Sequence, residues 1–325
     1  MARFTPVEQA IDDAAHRLLD RAPTSRAWSA FIEFLVFGAK QAWACLFGAL
    51  LLVAIVAVRL WYPDDAALAR NDALTIIAIL IQIGMVASGL ETFRELRVII
   101  LFHVVGTVME LFKTDIGSWS YDPGGLLHLG AVPLFSGFMY AAVGSYMVRV
   151  FRLFDLRFER YPRRWITAII AGAIYLNFFT HHYVVDLRWL LVAAVVAVYW
   201  PTMMHVRILR VRPRIPILAS FALVAVFIWL AENIATAGGA WSYPDQLAGW
   251  HLVSPTKIVS WFLLMIISVV LVAWVYKPEP PELPVVEDEA PDADPAGSAA
   301  AASAAAASTT GGSAAAGPAG EAAPA

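Results

Sequence analysis

Residues 109–124 read MELFKTDIGSWSYDPG, and residues 231–246 read AENIATAGGAWSYPDQ. At a fixed offset of 122, Glu110 meets Glu232, Gly117 meets Gly239, Trp119 meets Trp241, Ser120 meets Ser242 and Tyr121 meets Tyr243. Pro133 and Pro255 extend the match without a gap. Six identities at one offset mark an internal duplication. Each copy places a carboxylate near the end of an apolar run. A Gly-x-Trp-Ser-Tyr loop follows, then another apolar run that opens near a proline.

Working outward from these stretches, the chain is 60% hydrophobic and 12% aromatic, with a mean hydropathy of +0.66. Ordinary soluble domains are nearer half apolar. Apolar runs of about 18 or more residues recur, each long enough for a hydrocarbon core of ~30 Å. The fold class is therefore all-α, a polytopic membrane helix bundle. About eight spans are expected, near 35–60, 72–90, 97–113, 127–149, 164–181, 188–204, 215–236 and 256–276. Spans 3–4 and 7–8 match as a parallel repeat, because an even-numbered unit preserves orientation.

Charge supports that count. With the N-terminus in the cytoplasm, 17 of the 23 Lys and Arg fall on the cytoplasmic side. Only Arg59, Arg70, Lys113, Arg188 and Lys257 fall on the outer side, and Lys40 sits within the first span. This asymmetry is the positive-inside pattern of a plasma (inner) membrane protein with both termini cytoplasmic. The formal charge of −3 conceals it, since the segment after Lys277 carries eight acids and no base. Removing that segment leaves 18 acids against 23 bases, a net of about +5.

Three segments follow. Residues 1–28 lack the apolar core of a signal peptide, and Thr5-Pro6-Val7-Glu8 has the form of a helix capping box. Val7, Ile11, Ala14, Ala15 and Leu18 then share one helical face, fitting a cytoplasmic amphipathic helix on the membrane surface or packed on the bundle. Residues 29–277 form the eight-span domain. Glu33, Lys40 and Gln41, the strongly polar members of its first span, are expected to face protein rather than lipid. Residues 278–325 are acidic and then Ala/Ser/Gly-rich, the composition of a disordered cytoplasmic tail. The single cysteine, Cys45, excludes an intramolecular disulfide and any multi-cysteine metal site.

The candidate chemistry gathers on the outer side. Glu110 and Glu232 lie in or near the outer halves of spans 3 and 7, where a carboxylate must be paired, hydrogen-bonded or protonated. They are either a proton donor and its partner or two acids that each tie down their own loop. Trp119, Tyr121, Trp241 and Tyr243 read as an interfacial belt or as walls of a pocket whose indole faces stabilise a cationic intermediate. FFTHHYVVDLRW places His181 or His182 one helical turn from Asp186, a metal-ligand or proton-relay spacing. No HxxxH or HExxH pattern supports a metal cage, so no metal or other cofactor is expected. His128 and His251 end on the same outer side, and His103 shares the Glu110 helix face two turns deeper. This reading makes Glu110, Glu232, His181, His182 and Asp186 candidate catalytic residues. Trp119, Tyr121, Trp241, Tyr243, His103, His128 and His251 are candidate substrate-binding residues.

The order ELFKTDIGSWSYDPG, arginine-rich loop, FFTHHYVVDLRW, AENIATAGGAWSYP resembles the bacterial integral membrane family of domain-of-unknown-function 817, over approximately residues 30–277. That resemblance implies a membrane protein and brings no activity with it. A weaker resemblance is to carotenoid-modifying membrane proteins, the heterodimeric-type lycopene cyclases and the bacterioruberin-pathway hydratases. Their repeats similarly run acid, Gly-x-Trp-x-Tyr, then proline, which implies a shared scaffold. The cyclases follow that proline with paired glutamates, where this chain has Leu134-Phe135 and Thr256-Lys257. Three functions remain open: a membrane enzyme using acid/base chemistry on an isoprenoid or other lipid, a transporter or permeation protein, and a non-catalytic scaffold. The expected partners are the bilayer and an apolar lipid or isoprenoid, with no nucleic acid.

Overall fold

The computed structural model describes residues 4–20 and 25–281. Most of the expected tail, from residue 282 onward, lies outside the described residues. Ten helices run through the rest: α1 (Pro6–Asp20), α2 (Arg26–Ala44), α3 (Leu46–Trp61), α4 (Arg70–Ala87), α5 (Phe93–Asp115), α6 (Phe135–Leu153), α7 (Arg164–Thr180), α8 (Arg188–Tyr199), α9 (Ile217–Ala237) and α10 (Lys257–Val275). Of these, α4, α9 and α10 are long and apolar enough to cross a membrane. The pair α2 and α3, bent by 63°, makes a fourth if taken as one span, while α7 and α8 are apolar but shorter. The protein is a helical membrane protein.

At the N-terminus the capping box forms as its sequence requires. The Thr5 amide donates to Glu8 Oε2 at 2.8 Å, and the Glu8 amide donates to Thr5 Oγ1 at 3.3 Å. The helix docks by its acidic edge together with Ala15 and Leu19, which pack against Ile32 and Leu209. Glu8 pairs with Arg152 at 2.7 Å and Asp12 with Lys40 at 3.2 Å. Val7, Ile11 and Leu18 consequently remain exposed.

The first span, expected as one helix over 35–60, breaks at Cys45. Arg149 Nη1 donates to the Trp43 carbonyl at 3.0 Å, a side chain inserted into the helix ladder at the bend. Glu33 and Lys40 face protein, as a polar residue in a span should. Glu33 accepts the amides of Leu209, Arg210 and Val211, tying α2 to a distant loop.

Other boundaries shift for local reasons. The fourth expected span, 127–149, becomes helical only at Phe135. Its first residues contain Gly130 and Pro133 and form the two-residue strands β1 (His128–Leu129) and β2 (Val132–Pro133). α8 stops at Tyr199 because Pro201 cannot continue it. Beyond it, β4 (Met203–His205) pairs antiparallel with β3 (Arg157–Glu159) and β5 (Arg214–Pro216). This small three-stranded sheet is an addition to a chain that is otherwise helical, as the sequence predicts. Its strands sit in arginine-rich loops without the alternation that announces a strand.

The sheet joins the C-terminal ends of α6 and α8 to the N-terminal end of α9. Nearby, Arg149 pairs with Glu91 at 3.2 Å, and Arg152 reaches both Glu8 and Glu95. Arg149 and Arg152, counted by sequence as loop charges, are therefore buried members of an ion network, because α6 continues to Leu153.

At the other end, α5 and α6 pack closely because glycines face side chains. A Cβ on Gly106 would lie 2.2 Å from Tyr140 Cγ, and one on Gly137 would lie 2.5 Å from His103 Cε1. α9 and α10 form the second such helix–loop–helix pair.

Candidate functional site

The site begins with how α5 and α9 end. After α5, Gly117 adopts φ 71°, its amide donates to the Thr114 carbonyl and the Ser118 amide to that of Lys113. After α9, Gly239 adopts φ 66°, its amide donates to Thr236 and the Ala240 amide to Ala235. Both are Schellman closures, which need a left-handed residue that glycine supplies without steric cost. Every donor and acceptor in one has its counterpart in the other at an offset of 122. The two loops then meet. Ser120 and Ser242 exchange amide-to-carbonyl bonds of 3.0 and 2.9 Å in a single antiparallel bridge. The Trp119 and Tyr243 rings stand edge-to-face across it, 6.2 Å between centroids.

Beneath this bridge lie the two glutamates, each only 3% exposed. Glu110 accepts from Trp119 Nε1 at 2.7 Å, Tyr121 OH at 2.6 Å and Tyr140 OH at 2.7 Å. Glu232 accepts from Tyr243 OH and from Trp261 Nε1 at 2.8 Å. Each carboxylate thus joins its own loop to the following helix, with hydroxyl and indole donors in place of a cation. The indole edges of Trp119 and Trp261 point at carboxylates. The close cation–ring contacts here belong to Phe178, 4.2 Å from Lys113 Nζ, and to Tyr243, 4.1 Å from Lys257 Nζ.

Both glutamates border one cavity of about 1240 Å³ that runs toward Met204 and Ile215 at the sheet end. Its walls are mostly aliphatic and aromatic. Glu110 and Glu232 are the only carboxylate side chains among its described lining residues. Trp119, Trp241, Tyr243, His181 and His182 also line it, as do Lys113, Arg188 and Lys257. Residues of both repeats and the histidine pair thus border the same cavity.

The remaining candidates stand apart from the cavity wall. Tyr121 holds Glu110 from behind and packs against Phe135. Asp186 is a loop staple, bonded to Asn177 Nδ2 at 3.0 Å and the Arg188 amide at 2.9 Å, and paired with Arg188 at 3.2 Å. Desolvation pushes its carboxyl up, but those bonds prevail and hold it below the usual carboxylate range. His103 packs edge-on against Phe138. His128 bonds the Gly130 carbonyl within its own turn. His251 bonds the carbonyls of Leu252 and Asp245, which push its imidazole up. No group of three or more metal-ligating side chains occurs among the described residues.

His181 and His182 stack with centroids 3.9 Å apart, and His182 Nε2 lies 2.9 Å from Lys113 Nζ. Desolvation, then the Lys113 charge, lowers both imidazoles from their ordinary value. Sequence reasoning missed Tyr140 and Trp261, which sit in apolar runs that read as core. It also placed Lys113, Arg188 and Lys257 only as topology markers. Their shared distinction, scarce positive charge beside the duplicated loops, was a usable signal.

The model for the family described as "Protein of unknown function (DUF817)" matches residues 33–269. The chain is 44% identical over 241 residues to "Uncharacterized protein YoaT" of Bacillus subtilis (strain 168), covering 74% of this chain and 90% of that protein. Among solved structures, it is similar to the mycobacterial Insig homolog MvINS from Mycobacterium vanbaalenii, with 14% identity and a TM-score of 0.42. A cross-linked MvINS trimer gives 17% identity and a TM-score of 0.39. Each of these two matches covers 59% of this chain and 98% of the other. Likeness at that level brings nothing to this chain beyond a helical membrane neighbour. The extent of the family match and the identity to the Bacillus protein together place the chain in the DUF817 family.

Proposed function

We propose that this protein holds an isoprenoid or other lipid within the membrane, its apolar body in the cavity and its polar end under the paired Trp-Ser-Tyr loops. The observation that carries this reading is the cavity itself. At about 1240 Å³ it is an open cleft bordered by exposed Phe34, Leu223 and Phe227, and its walls are apolar over most of their length. The scarcity of polar wall residues disfavours a transporter of hydrophilic solutes. Gly38 lines the cavity, and a Cβ added there meets nothing within 4 Å. Gly38→Phe should therefore obstruct one side of the cavity without disturbing packing. Lipid extracted from purified wild type and from this variant, compared by mass spectrometry, tests the reading. The wild type retains a lipid and the variant retains less of it; a wild type that retains none overturns the proposal.

Acid/base chemistry on that lipid is the second reading. It is favoured by the position of the two lining carboxylates, each bonded to at least one tyrosine hydroxyl that can pass a proton. Glu110, Glu232, His181 and His182 are its working groups, with Trp119, Trp241 and Tyr243 lining the substrate. Asp186 positions Arg188. A product that accumulates with wild type and is lost in Glu232→Gln, at unchanged membrane abundance, is the expected sign.

The architecture proposed with it is an eight-span bundle in the inner membrane, both termini cytoplasmic, with α5–α6 and α9–α10 as parallel repeats. The matching Schellman closures and the Ser120–Ser242 bridge support the repeat, and the 17-to-5 charge split supports the orientation. Reporter fusions after Arg164 and Arg214 should read cytoplasm, and fusions near Asp122, Asp186 and Asp245 should read outside. One reproducible reversal breaks this topology.

A further inference from the structure

The mouth of the cavity gathers three cations, two of them lysines without an ion-pair partner among the described residues. Lys113 is 2% exposed, and it contacts His182 Nε2 and the Phe178 ring, neither of which is an anion. Lys257 rests on the Tyr243 ring. Among the described residues, no carboxylate lies within ion-pairing distance of Lys113 or Lys257; Arg188 alone of the three pairs, with Asp186. The three cations lie within electrostatic range of one another; Asp186 acts on Lys113, and Glu232 and Asp245 act on Lys257, only from beyond contact.

One of these charges also opposes a helix dipole: Lys257 is the first residue of α10, whose first turn carries no acid, whereas Arg188 at the start of α8 is accompanied by Asp186. A cation at the positive end of a helix is unfavourable unless an anion accompanies it. Rings hold an ammonium in position through their quadrupole but bring no net negative charge. Like charges gathered beside an apolar, poorly screened wall repel more strongly than they would in water. An arrangement that is costly when empty and favourable around an anion has the form of a binding site.

We infer that the cavity mouth formed by Lys113, Arg188 and Lys257, with His181 and His182 beside it, binds the phosphate head of an amphipathic lipid whose chain occupies the cavity. Compact ammonium groups suit a phosphate as point charges, and Arg188 adds a planar donor set. The carboxylates of Glu110 and Glu232 are already engaged by tyrosine and tryptophan donors, so the head group does not compete for those donors.

This inference rests on the lipid reading above, and its test separates the two. The full chain in phosphatidylcholine nanodiscs is titrated with geranylgeranyl phosphate, with geranylgeraniol and with inorganic phosphate. The same titrations are run on the Lys113→Gln/Lys257→Gln double variant. A charge-assisted bond of ordinary strength gives the phosphate lipid at least about a tenfold advantage over the alcohol. That advantage should collapse in the double variant, while the alcohol binds both proteins equally, which also shows that the variant is folded. Equal affinity for phosphate lipid and alcohol overturns the head-group site and leaves the lipid cavity standing. A preference that survives in the double variant overturns the assignment to these lysines. Inorganic phosphate binding as tightly as the lipid overturns the amphiphile, and no binding of either lipid overturns both readings.

Discussion

The two ends of this bundle bury charge in opposite ways. At the sheet end every buried arginine meets a carboxylate: Arg149 meets Glu91, and Arg152 meets Glu8 and Glu95. At the loop end the buried carboxylates meet tyrosine and tryptophan donors, and the lysines meet rings and an imidazole. In the first arrangement each buried arginine is held by carboxylates, and the network serves to hold α1, α4, α5 and α6 together. The second leaves charge available at the mouth of a cavity. Burial alone therefore does not mark a functional residue here; the identity of the partner does.

The largest effect expected from this contrast is at the sheet end. Arg152→Met leaves Glu8 and Glu95 without their cation, which costs about 3–5 kcal/mol when a buried pair is broken from one side. Detergent-solubilised protein should lose much of its thermal stability, and α1 should become accessible to protease. An unchanged melting temperature would refute the ion-network account.

Next comes Glu110→Gln. The amide keeps an acceptor for two donors at best, leaving a buried hydroxyl or indole unsatisfied at about 1–3 kcal/mol. Melting temperature should fall, and Trp119 fluorescence should shift as its loop loosens. A purely catalytic Glu110 would leave both unchanged.

Lys113→Met should behave unlike Arg152→Met. Removing one of three converging cations relieves repulsion and leaves no carboxylate without its ion-pair partner, so the ligand-free protein should lose far less stability than with Arg152→Met. A loss comparable to that of Arg152→Met would erase the distinction between the two ends.

The smallest effect is on pH. His181 and His182 have lowered folded values, so neutral imidazole is the native form at pH 7. The unfolded chain takes up protons first as pH falls below about 6.5, and ligand-free stability should decline slightly there. Lys113 from α5 and Arg188 from α8 oppose protonation of His181, and Asp186 in their own loop favours it for both histidines. A His181→Asn/His182→Asn double variant should show a flatter profile between pH 7 and 5.5; an identical slope would remove the histidines from this account.

Much of the site was legible because the duplication is written in residue types with strict backbone demands. Gly117 and Gly239 are required by left-handed closures, and Glu110 and Glu232 need donors that only their own loops and neighbours offer. The helical bundle followed from hydropathy. What sequence could not place depends on distant partners. The break at Cys45 depends on Arg149, more than a hundred residues away. The outward turn of Val7, Ile11 and Leu18 depends on cations waiting for Glu8 and Asp12. The departure of His103, His128 and His251 from the cavity reflects the same limit, since sharing a membrane side does not mean sharing a wall.

The central claim is that the cavity under the paired loops is an occupied lipid site, and a density map of the full chain in native-lipid nanodiscs tests it most directly. The account predicts continuous elongated density along the apolar wall near Met204 and Ile215, ending in a compact feature between Lys113 and Lys257. A map in which side chains close the cavity, or in which it stays open and empty while neighbouring lipids are ordered, would contradict it.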